Sequence, residues 1–345
     1  MPFGYYNWGK LGSRNYTMYR LSLWISLAIG LCISFLLLMP PVRSQSLEQL
    51  SFALIGDMPY NDNEMAQFQT LMQELDGDDR LAFVIHDGDI KSGSEPCSDQ
   101  VLNNLKQQFD QSVHPFILVP GDNEWTDCHR PKAGRYDPND RLAKVRELFT
   151  TGDESLGKRR LALTRQSQNP KYQQFRENIR WVASRVMFVG LHIVGSNNNL
   201  GRDPEADAEY QTRNAANLAW LRDSFTLAKR NNLAGVMLII QANPLFERPP
   251  EERTGFNDFI AALEPAVKDF GKPVVLVHGD THYFQINKPL PILNPIEPQP
   301  RLWNFTRVET FGSPDIHWIK ATIDPTSPHV FEFQPMIVTK NRSST

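Results

Sequence analysis

The sequence lacks several patterns that assign a chain to a structural or functional class at once. It contains no sustained heptads and no repeat with a period of about 20–50 residues, which excludes coiled coils and solenoids. It also lacks an excess of basic residues, since 36 Lys and Arg stand against 39 Asp and Glu. This balance argues against a nucleic-acid-binding protein, which would usually carry a basic stripe.

Apolar residues, in contrast, are plentiful. They make up 41% of the 345 residues, and 25 prolines and 20 glycines are spread along the chain. That is enough apolar material for a large core, which excludes intrinsic disorder for most of the chain. The composition therefore favours a globular body with several long surface loops.

One uncharged apolar run, residues 21–39, lies near the N-terminus. Three basic residues and no acidic residue precede it, and one basic residue follows it closely. This bias predicts that the N-terminus stays in the cytoplasm while the rest of the chain is exported. The run is just long enough to span a bilayer, so residues 1–46 are expected to be a signal peptide or a signal anchor. We therefore expect an extracytoplasmic domain over 47–345, which is periplasmic or secreted, or tethered through the N-terminal segment.

Cysteine is scarce, with three in the chain, and Cys32 lies inside the apolar run. After export, Cys97 and Cys128 would face an oxidising compartment, so a disulfide between them is expected. Two free thiols are the alternative, because pairing cannot be deduced from sequence alone. The exported part has more acidic than basic residues, so we expect neither nucleic acid nor an anionic membrane surface as a partner. Membrane contact is expected only through the N-terminal segment, and the oligomeric state is left open.

Six short apolar runs follow this segment, each rich in β-branched or aromatic residues and too short for an amphipathic helix. We predict buried strands at 52–55, 81–85, 116–119, 186–194, 236–240 and 274–277. Helical patterns between them are clearest over 65–75 and 206–229. Strands that alternate with helices predict an α/β fold with a largely parallel or mixed sheet. The segment 303–323 alternates apolar and polar residues, which favours a terminal pair of strands.

Polar residues of metal-binding types follow these strands directly. The first three strands are followed by Gly56-Asp57, Gly88-Asp89 and Gly121-Asp122, and the last by Gly279-Asp280 with His282 close behind. The carboxyl ends of strands in an open α/β sheet meet at one edge, so these side chains are expected to converge. Several carboxylates in one pocket cannot all stay ionised without a cation. The sequence therefore predicts a metal site.

This order of motifs resembles that of the calcineurin-like metallophosphoesterases, the family that includes purple acid phosphatases. The resemblance covers about residues 52–283 and implies two mixed β-sheets that pack face to face and are flanked by helices. It also implies a set of metal ligands: Asp57 and His282 on one ion, Asp122 and Asp280 on the other, Asp89 bridging the two, and Gln241 as a sixth ligand. The implied reaction is hydrolysis of phosphate esters by a metal-activated water.

The sequence departs from that family at most of its histidines. Pro59 stands where the first motif usually has a histidine, and Asn123 replaces the histidine that normally donates a proton. Gln241 or Asn243 replaces the lone histidine, and Asp280 replaces the first histidine of the last motif. Oxygen ligands in place of nitrogen ligands shift the preference away from Zn²⁺ toward Mn²⁺, Mg²⁺ or Ca²⁺. We expect one or two such ions.

The loss of the histidine at position 123 removes the expected proton donor. General acid catalysis typically contributes about 10²–10⁴-fold, so the altered site is expected to be slow rather than dead. Asn123 would then orient the phosphoryl group, and the leaving oxygen would take its proton from His278 or from solvent. His129, next to Cys128, is a further candidate donor, with a solvated loop residue as the alternative.

Two functions from different classes are compatible with these residues. We expect an exported, metal-dependent phosphoesterase that acts on a small phosphorylated substrate. The alternative is a catalytically inactive protein of the same fold that acts as a metal-dependent binding module, and a purely structural Ca²⁺ site is a third possibility. The missing histidines favour the binding module, whereas the ligands retained in their ordered places favour the enzyme.

Overall fold

The computed structural model describes residues 1, 3–4, 48–291 and 300–341, so the expected signal or anchor segment lies outside the described residues. Within the described part of the chain, no helix is long and apolar enough to cross a membrane. Contacts between Cα atoms group Ser46–Thr345 into one unit, which carries all the elements below.

Twelve strands are present in the residues that the structure describes: β1 (Leu50–Ile55), β2 (Leu81–His86), β3 (Phe116–Leu118), β4 (Thr164–Arg165), β5 (Ile179–Ala183), β6 (Val186–Gly190), β7 (Gly235–Ile239), β8 (Val274–His278), β9 (Gln285–Asn287), β10 (Phe305–Glu309), β11 (Trp318–Ile323) and β12 (Phe331–Met336). They form a five-stranded sheet in the order β12-β11-β1-β2-β3 and a seven-stranded sheet in the order β4-β5-β6-β7-β8-β10-β9. In the five-stranded sheet β1, β2 and β3 are parallel, and β11 and β12 add antiparallel pairs. In the seven-stranded sheet β6, β7, β8 and β10 are parallel, and β4, β5 and β9 pair antiparallel, so both sheets are mixed. The predicted α/β fold with two mixed sheets is confirmed.

The two sheets pack face to face because their strands are apolar on both sides. In β1, Phe52 and Leu54 join a core cluster shared with β6, β7 and β8, whereas Ala53 and Ile55 pack with the helices. Phe52 lies 5.3 Å, centroid to centroid, from Phe188 of the other sheet. The continuous apolar runs of the sequence therefore reflect strands that are covered by a sheet on one face and by helices on the other.

Helices cover the outer faces: α1 (Asp62–Asp76), α2 (Asp99–Gln111), α3 (Pro138–Phe149), α4 (Pro204–Arg230) and α5 (Asn257–Phe270). The two helices predicted from the sequence are α1 and α4, and both are confirmed with slightly longer bounds. Each begins at an acceptor side chain, Asn61 for α1 and Asp203 for α4, that binds a backbone N–H of the first turn.

Two details of the predicted strands are wrong. The strand expected over 186–194 ends at Gly190, because the Ile193 N–H turns back to the Leu191 carbonyl at 2.8 Å instead of continuing the ladder. The expected terminal strand pair does not form either. β10 pairs with β8 in the seven-stranded sheet, whereas β11 pairs with β1 in the five-stranded sheet.

The structure contains the disulfide between Cys97 and Cys128, with an S–S distance of 1.94 Å. It joins the segment after β2 to the segment after β3. Both sulfur atoms lie against the Asn123 carbonyl oxygen, at 3.6 and 3.8 Å. The bond therefore holds together two loops at the same edge of the first sheet.

Candidate functional site

The loops after four strands meet at one end of the two sheets. Asp57 follows β1 and accepts the backbone N–H of Asp280, which follows β8 in the other sheet, at 3.1 and 3.0 Å. Asp89 follows β2 and accepts the backbone N–H of Asn123, which comes after β3, at 3.1 Å. The predicted convergence of the acidic side chains therefore occurs on the line where the sheets face each other.

Two further carboxylate oxygens converge at Gly195, in the loop after β6. A side-chain Cβ at this position would lie 2.8 Å from Oδ1 of Asp122 and 2.8 Å from Oδ1 of Asp280. Only glycine leaves room for both oxygens, so the close approach of the two carboxylates depends on it.

Four candidate ligands have an unusual backbone conformation. The φ angles of Asp57, Asp89, Asp280 and His282 are 50°, 56°, 78° and 59°, in the left-handed region that residues other than glycine seldom adopt. Such conformations cost on the order of 1–3 kcal/mol each and concentrate at functional sites. The strain therefore supports the assignment of these residues to a site.

The carboxylates raise the proton affinity of one another. Burial raises the pKa of Asp57 well above its usual value, and the charges of Asp87 and Asp280 raise it further. Burial and neighbouring carboxylates, including Asp122, likewise raise the pKa of Asp89. For Asp280, burial and the charge of Asp122 raise the pKa to about 7. Negative charge is therefore concentrated in a poorly solvated pocket, where a cation would stabilise it.

His282 is oriented as a neutral ligand would be. Its Nδ1 lies 2.7 Å from the carbonyl oxygen of Ser313, which can only accept, so Nδ1 carries the proton. The lone pair of Nε2 then points into the site, where the atom lies 3.8 Å from Oδ1 of Asp57. A histidine whose second nitrogen donates to a carbonyl is the usual arrangement at a metal.

Tyr60 is a site residue that the sequence did not identify. Its hydroxyl lies 3.2 Å from Oδ2 of Asp89, 3.3 Å from Nε2 of His282 and 3.2 Å from Nδ2 of Asn123. Burial and the charge of Asp89 raise the pKa of Tyr60 well above its usual value, so the hydroxyl keeps its proton. Its place three residues after Asp57, in the first motif, is the signal that could have found it.

Ser196 is a second residue that the sequence missed. Its hydroxyl lies 2.7 Å from Oδ2 of Asp122 and 2.8 Å from Oδ1 of Asp127, within a turn in which residues 196–199 all have positive φ angles. The fully buried Arg213 holds this turn by donating to the side chain and the carbonyl of Asn198, at 2.5 and 2.9 Å. Its sequence signal is the run of asparagines at 197–199, after β6, since asparagine tolerates the left-handed conformation.

His278, the expected proton donor, is enclosed in the core. The residue is fully buried, its Nδ1 lies 2.8 Å from the carbonyl oxygen of Gly279, and its Nε2 is buried without a partner. A side chain enclosed in this way does not reach a substrate. His129 is exposed, and its Nδ1 lies 2.7 Å from the Thr126 carbonyl oxygen. This placement favours the alternative, a solvated loop residue.

Gln241 lies inside the site but its oxygen is already engaged. The side chain is fully buried, and Oε1 accepts the backbone N–H of Gly195 at 2.6 Å. Its Nε2 has no partner. Asn243, the alternative at this place, donates its backbone N–H to Oδ2 of Asp280 at 3.0 Å and thereby positions that carboxylate.

The donor atoms of the site are of the types that bind a divalent cation. Oδ1 of Asp122 is buried without a hydrogen-bond partner, directly opposite Oδ1 of Asp280. An oxygen-rich set with one histidine suits a hard divalent cation. Across the described residues, no group of three or more His, Cys, Asp or Glu side chains is arranged to hold an ion. Backbone N–H groups, the Asn123 amide nitrogen and the hydroxyls of Tyr60 and Ser196 surround the carboxylates.

Comparison with known protein families assigns the chain to one of them. The model of the calcineurin-like phosphoesterases matches residues 50–284, more than half of the chain. The chain belongs to this family.

Among solved structures, the anchor GAP50 of the inner membrane complex of Plasmodium is similar to the chain. It is 13% identical, the match covers 84% of this chain and 89% of that one, and the TM-score is 0.46. The 5'-nucleotidase from Candida albicans SC5314 is 10% identical over 87% of this chain, with a TM-score of 0.44. The chain spans about half, 53%, of the length of that nucleotidase. No curated protein sequence matches the chain.

Proposed function

We propose that the chain is an exported, metal-dependent phosphoesterase that hydrolyses small phosphate esters. The observation that carries the proposal is the meeting of acidic side chains from four loops in one pocket, where burial and mutual repulsion raise the pKa of three of them. Family membership supports the reaction class. Export is supported by the disulfide, a bond that persists in oxidising compartments, and by the apolar N-terminal run.

The residues that would hold the cation are Asp57, Asp89, Asp122, Asp280 and His282. Mn²⁺, Mg²⁺ or Ca²⁺ would be preferred over Zn²⁺, because four of these ligands are carboxylates. When bound, a divalent ion stabilises charge on a phosphoryl oxygen and increases the nucleophilicity of water.

Asn123 and Tyr60 would act on the substrate directly. The Asn123 amide already donates to Oδ2 of Asp89, at 2.8 Å, so its orientation is fixed. The hydroxyl of Tyr60, protonated and 3.2 Å from the same carboxylate oxygen, would replace the missing histidine as proton donor to the leaving oxygen. This role passes to Tyr60 because His278 is enclosed in the core.

A binding module of the same fold is the second candidate. It is favoured by the hydrogen bonds that already engage Asp57 and Asp89 within the protein, and by the absence of a preformed group of three ligands among the described residues. In this case the pocket would hold a cation and a ligand without turnover.

Turnover separates the two candidates. The protein is purified without chelator or reductant and assayed with p-nitrophenyl phosphate and bis-p-nitrophenyl phosphate in Mn²⁺, Mg²⁺, Ca²⁺ and Zn²⁺. We expect metal-dependent hydrolysis that Asp89→Asn abolishes, while the exposed Asp79→Asn control retains it. Folded protein that turns over neither ester with any of the metals would overturn the enzyme and leave the binding module.

A further inference from the structure

A cleft of about 620 Å³ opens beside the candidate site. Its lining consists of Gly93, Ser94, Asn123, Arg130, Pro131 and Lys132. Asn123 also donates to Oδ2 of Asp89, so the cleft adjoins the candidate site. Arg130 and Lys132 place two positive charges on the wall of this cleft, in a chain whose acidic residues outnumber its basic ones.

Arg130 is held in place while its side chain stays 47% exposed. Its Nη1 lies 2.6 Å from Oδ2 of Asp127, and its Nη2 donates to the Ser196 hydroxyl at 3.2 Å. That hydroxyl also contacts Asp122 at 2.7 Å. A short chain of polar contacts therefore fixes the guanidinium relative to a candidate metal ligand.

Gly93 shows how closely Arg130 and Asn123 approach each other. A Cβ at this position would lie 2.5 Å from Oδ1 of Asn123 and 2.9 Å from Nη1 of Arg130. Asn123 and Arg130 belong to the segment after β3, and the disulfide Cys97–Cys128, which packs on the Asn123 carbonyl, ties this segment to the loop after β2 that carries Gly93. Their relative position is therefore set before any ligand binds, which lowers the entropic cost of binding.

We propose that Arg130 and Lys132 form a subsite for a second phosphate group, so that the preferred substrate class is an organic diphosphate with a hydrolysable terminal phosphate. This inference rests on the proposed function. A guanidinium presents five N–H donors that match phosphate oxygens, and Asp127 and Ser196 each engage one terminal nitrogen of Arg130, which leaves further N–H donors for a phosphate. Asn123 would contact the terminal phosphate, and Arg130 the phosphate of the leaving group.

The reaction balances without a further reactant. Water oxygen forms a bond to the terminal phosphorus as the bond from that phosphorus to the bridging oxygen breaks. The electron pair of the broken bond stays on the bridging oxygen, which leaves as part of a phosphate monoester. The proton that water loses replaces the one that Tyr60 donates to the leaving group. The products are inorganic phosphate and the monoester.

The kinetic test compares ADP with p-nitrophenyl phosphate for wild type, Arg130→Met and Lys132→Met. Loss of a charge-assisted contact to the second phosphate is expected to lower kcat/KM for ADP by about 10-fold or more, with a much smaller effect on p-nitrophenyl phosphate. Gly93→Ala keeps every charge but crowds both Asn123 and Arg130, so it should lower turnover of both substrates, and that of ADP more strongly. Arg135→Met, an exposed arginine of the same loop that does not line the cleft, is the matched control. Equal losses for the two substrates would overturn the subsite.

A binding measurement keeps the subsite testable if the protein proves inactive. Calorimetric titration of the intact protein with inorganic pyrophosphate and with inorganic phosphate uses the same variants. Tighter binding of pyrophosphate that is lost in Arg130→Met and kept in Arg135→Met supports the subsite even without turnover. Equal affinity of wild type and Arg130→Met for pyrophosphate would refute it, whether or not esters are hydrolysed.

Discussion

Divalent cations should stabilise this protein much more at pH 8 than at pH 5. The reason lies in Asp280, whose pKa rises from 3.8 to about 7 through burial and the charge of Asp122. Between pH 3.8 and about 7 the folded state keeps a proton on Asp280 that the unfolded state has lost. Stability is therefore greatest in the acidic part of this range and falls as pH rises through 7.

The size of the effect follows from the same numbers. A carboxyl whose pKa rises from 3.8 to about 7 lowers the free energy of unfolding by about 4 kcal/mol once it is ionised, at about 1.4 kcal/mol per pH unit. A cation at 100 times its dissociation constant returns about 2.7 kcal/mol. At pH 5 the carboxyl of Asp280 is protonated, so the ion has less charge to bind and less stability to restore.

Urea unfolding at both pH values, with chelator and with millimolar Mn²⁺, Mg²⁺ or Ca²⁺, measures these differences. Asp280→Asn should stabilise the metal-free protein at pH 8 and remove most of its response to cations. Asp79→Asn, at an exposed position, should do neither. A cation response of equal size at pH 5 and pH 8, or one that survives in Asp280→Asn, would refute the reasoning.

Three further perturbations test other parts of the structure. Tyr60→Phe should lower kcat by about 10²-fold or more, since general acid catalysis contributes at least that much. Steady-state assays should show a larger loss for an ester with a poor leaving group than for one with a good leaving group. Arg213→Met removes a buried charge that holds residues 196–199, and urea unfolding should show a loss of about 3–5 kcal/mol that the exposed Arg222→Met on the same helix does not share. Replacing Cys97 and Cys128 with serine should lower stability by about 3–4 kcal/mol for a loop of this length, and unchanged stability would show that the loops hold each other without the bond.

The strands could be predicted because each is buried on both faces and therefore apolar throughout. Apolar composition alone placed the end of the strand over 186–194 too late, since Leu191 and Ile193 are as apolar as the strand before them but are buried in a turn. The partners of the last strands could not be predicted from the same pattern. The alternation of apolar and polar residues identifies β10 and β11 as strands. It does not show that the chain passes from one sheet to the other between them, so that β10 pairs with β8 and β11 pairs with β1.

The acidic residues of the site could be predicted because each directly follows a strand. Tyr60 and Ser196 have only weak local signals, the first motif for Tyr60 and the run of asparagines for Ser196, and Arg130 has none. Their positions depend on contacts with distant parts of the chain, such as the Tyr60 hydroxyl with Nε2 of His282, at 3.3 Å. The burial of His278 could not be predicted either, since the sequence shows that a histidine ends a strand but does not show how its ring is enclosed.

The contact between Asp57 and the backbone of Asp280 joins one sheet to the other. The geometry of the pocket therefore depends on the relative position of the two sheets. If one sheet moves relative to the other, the distances between the acidic oxygens of the pocket should change before the protein unfolds cooperatively. Trimming an aromatic side chain that wedges the layers apart, such as Phe188→Ala, should thus impair ion capture at temperatures where circular dichroism still reports an intact fold. Remote interior substitutions in this protein would then mimic defects of the pocket itself.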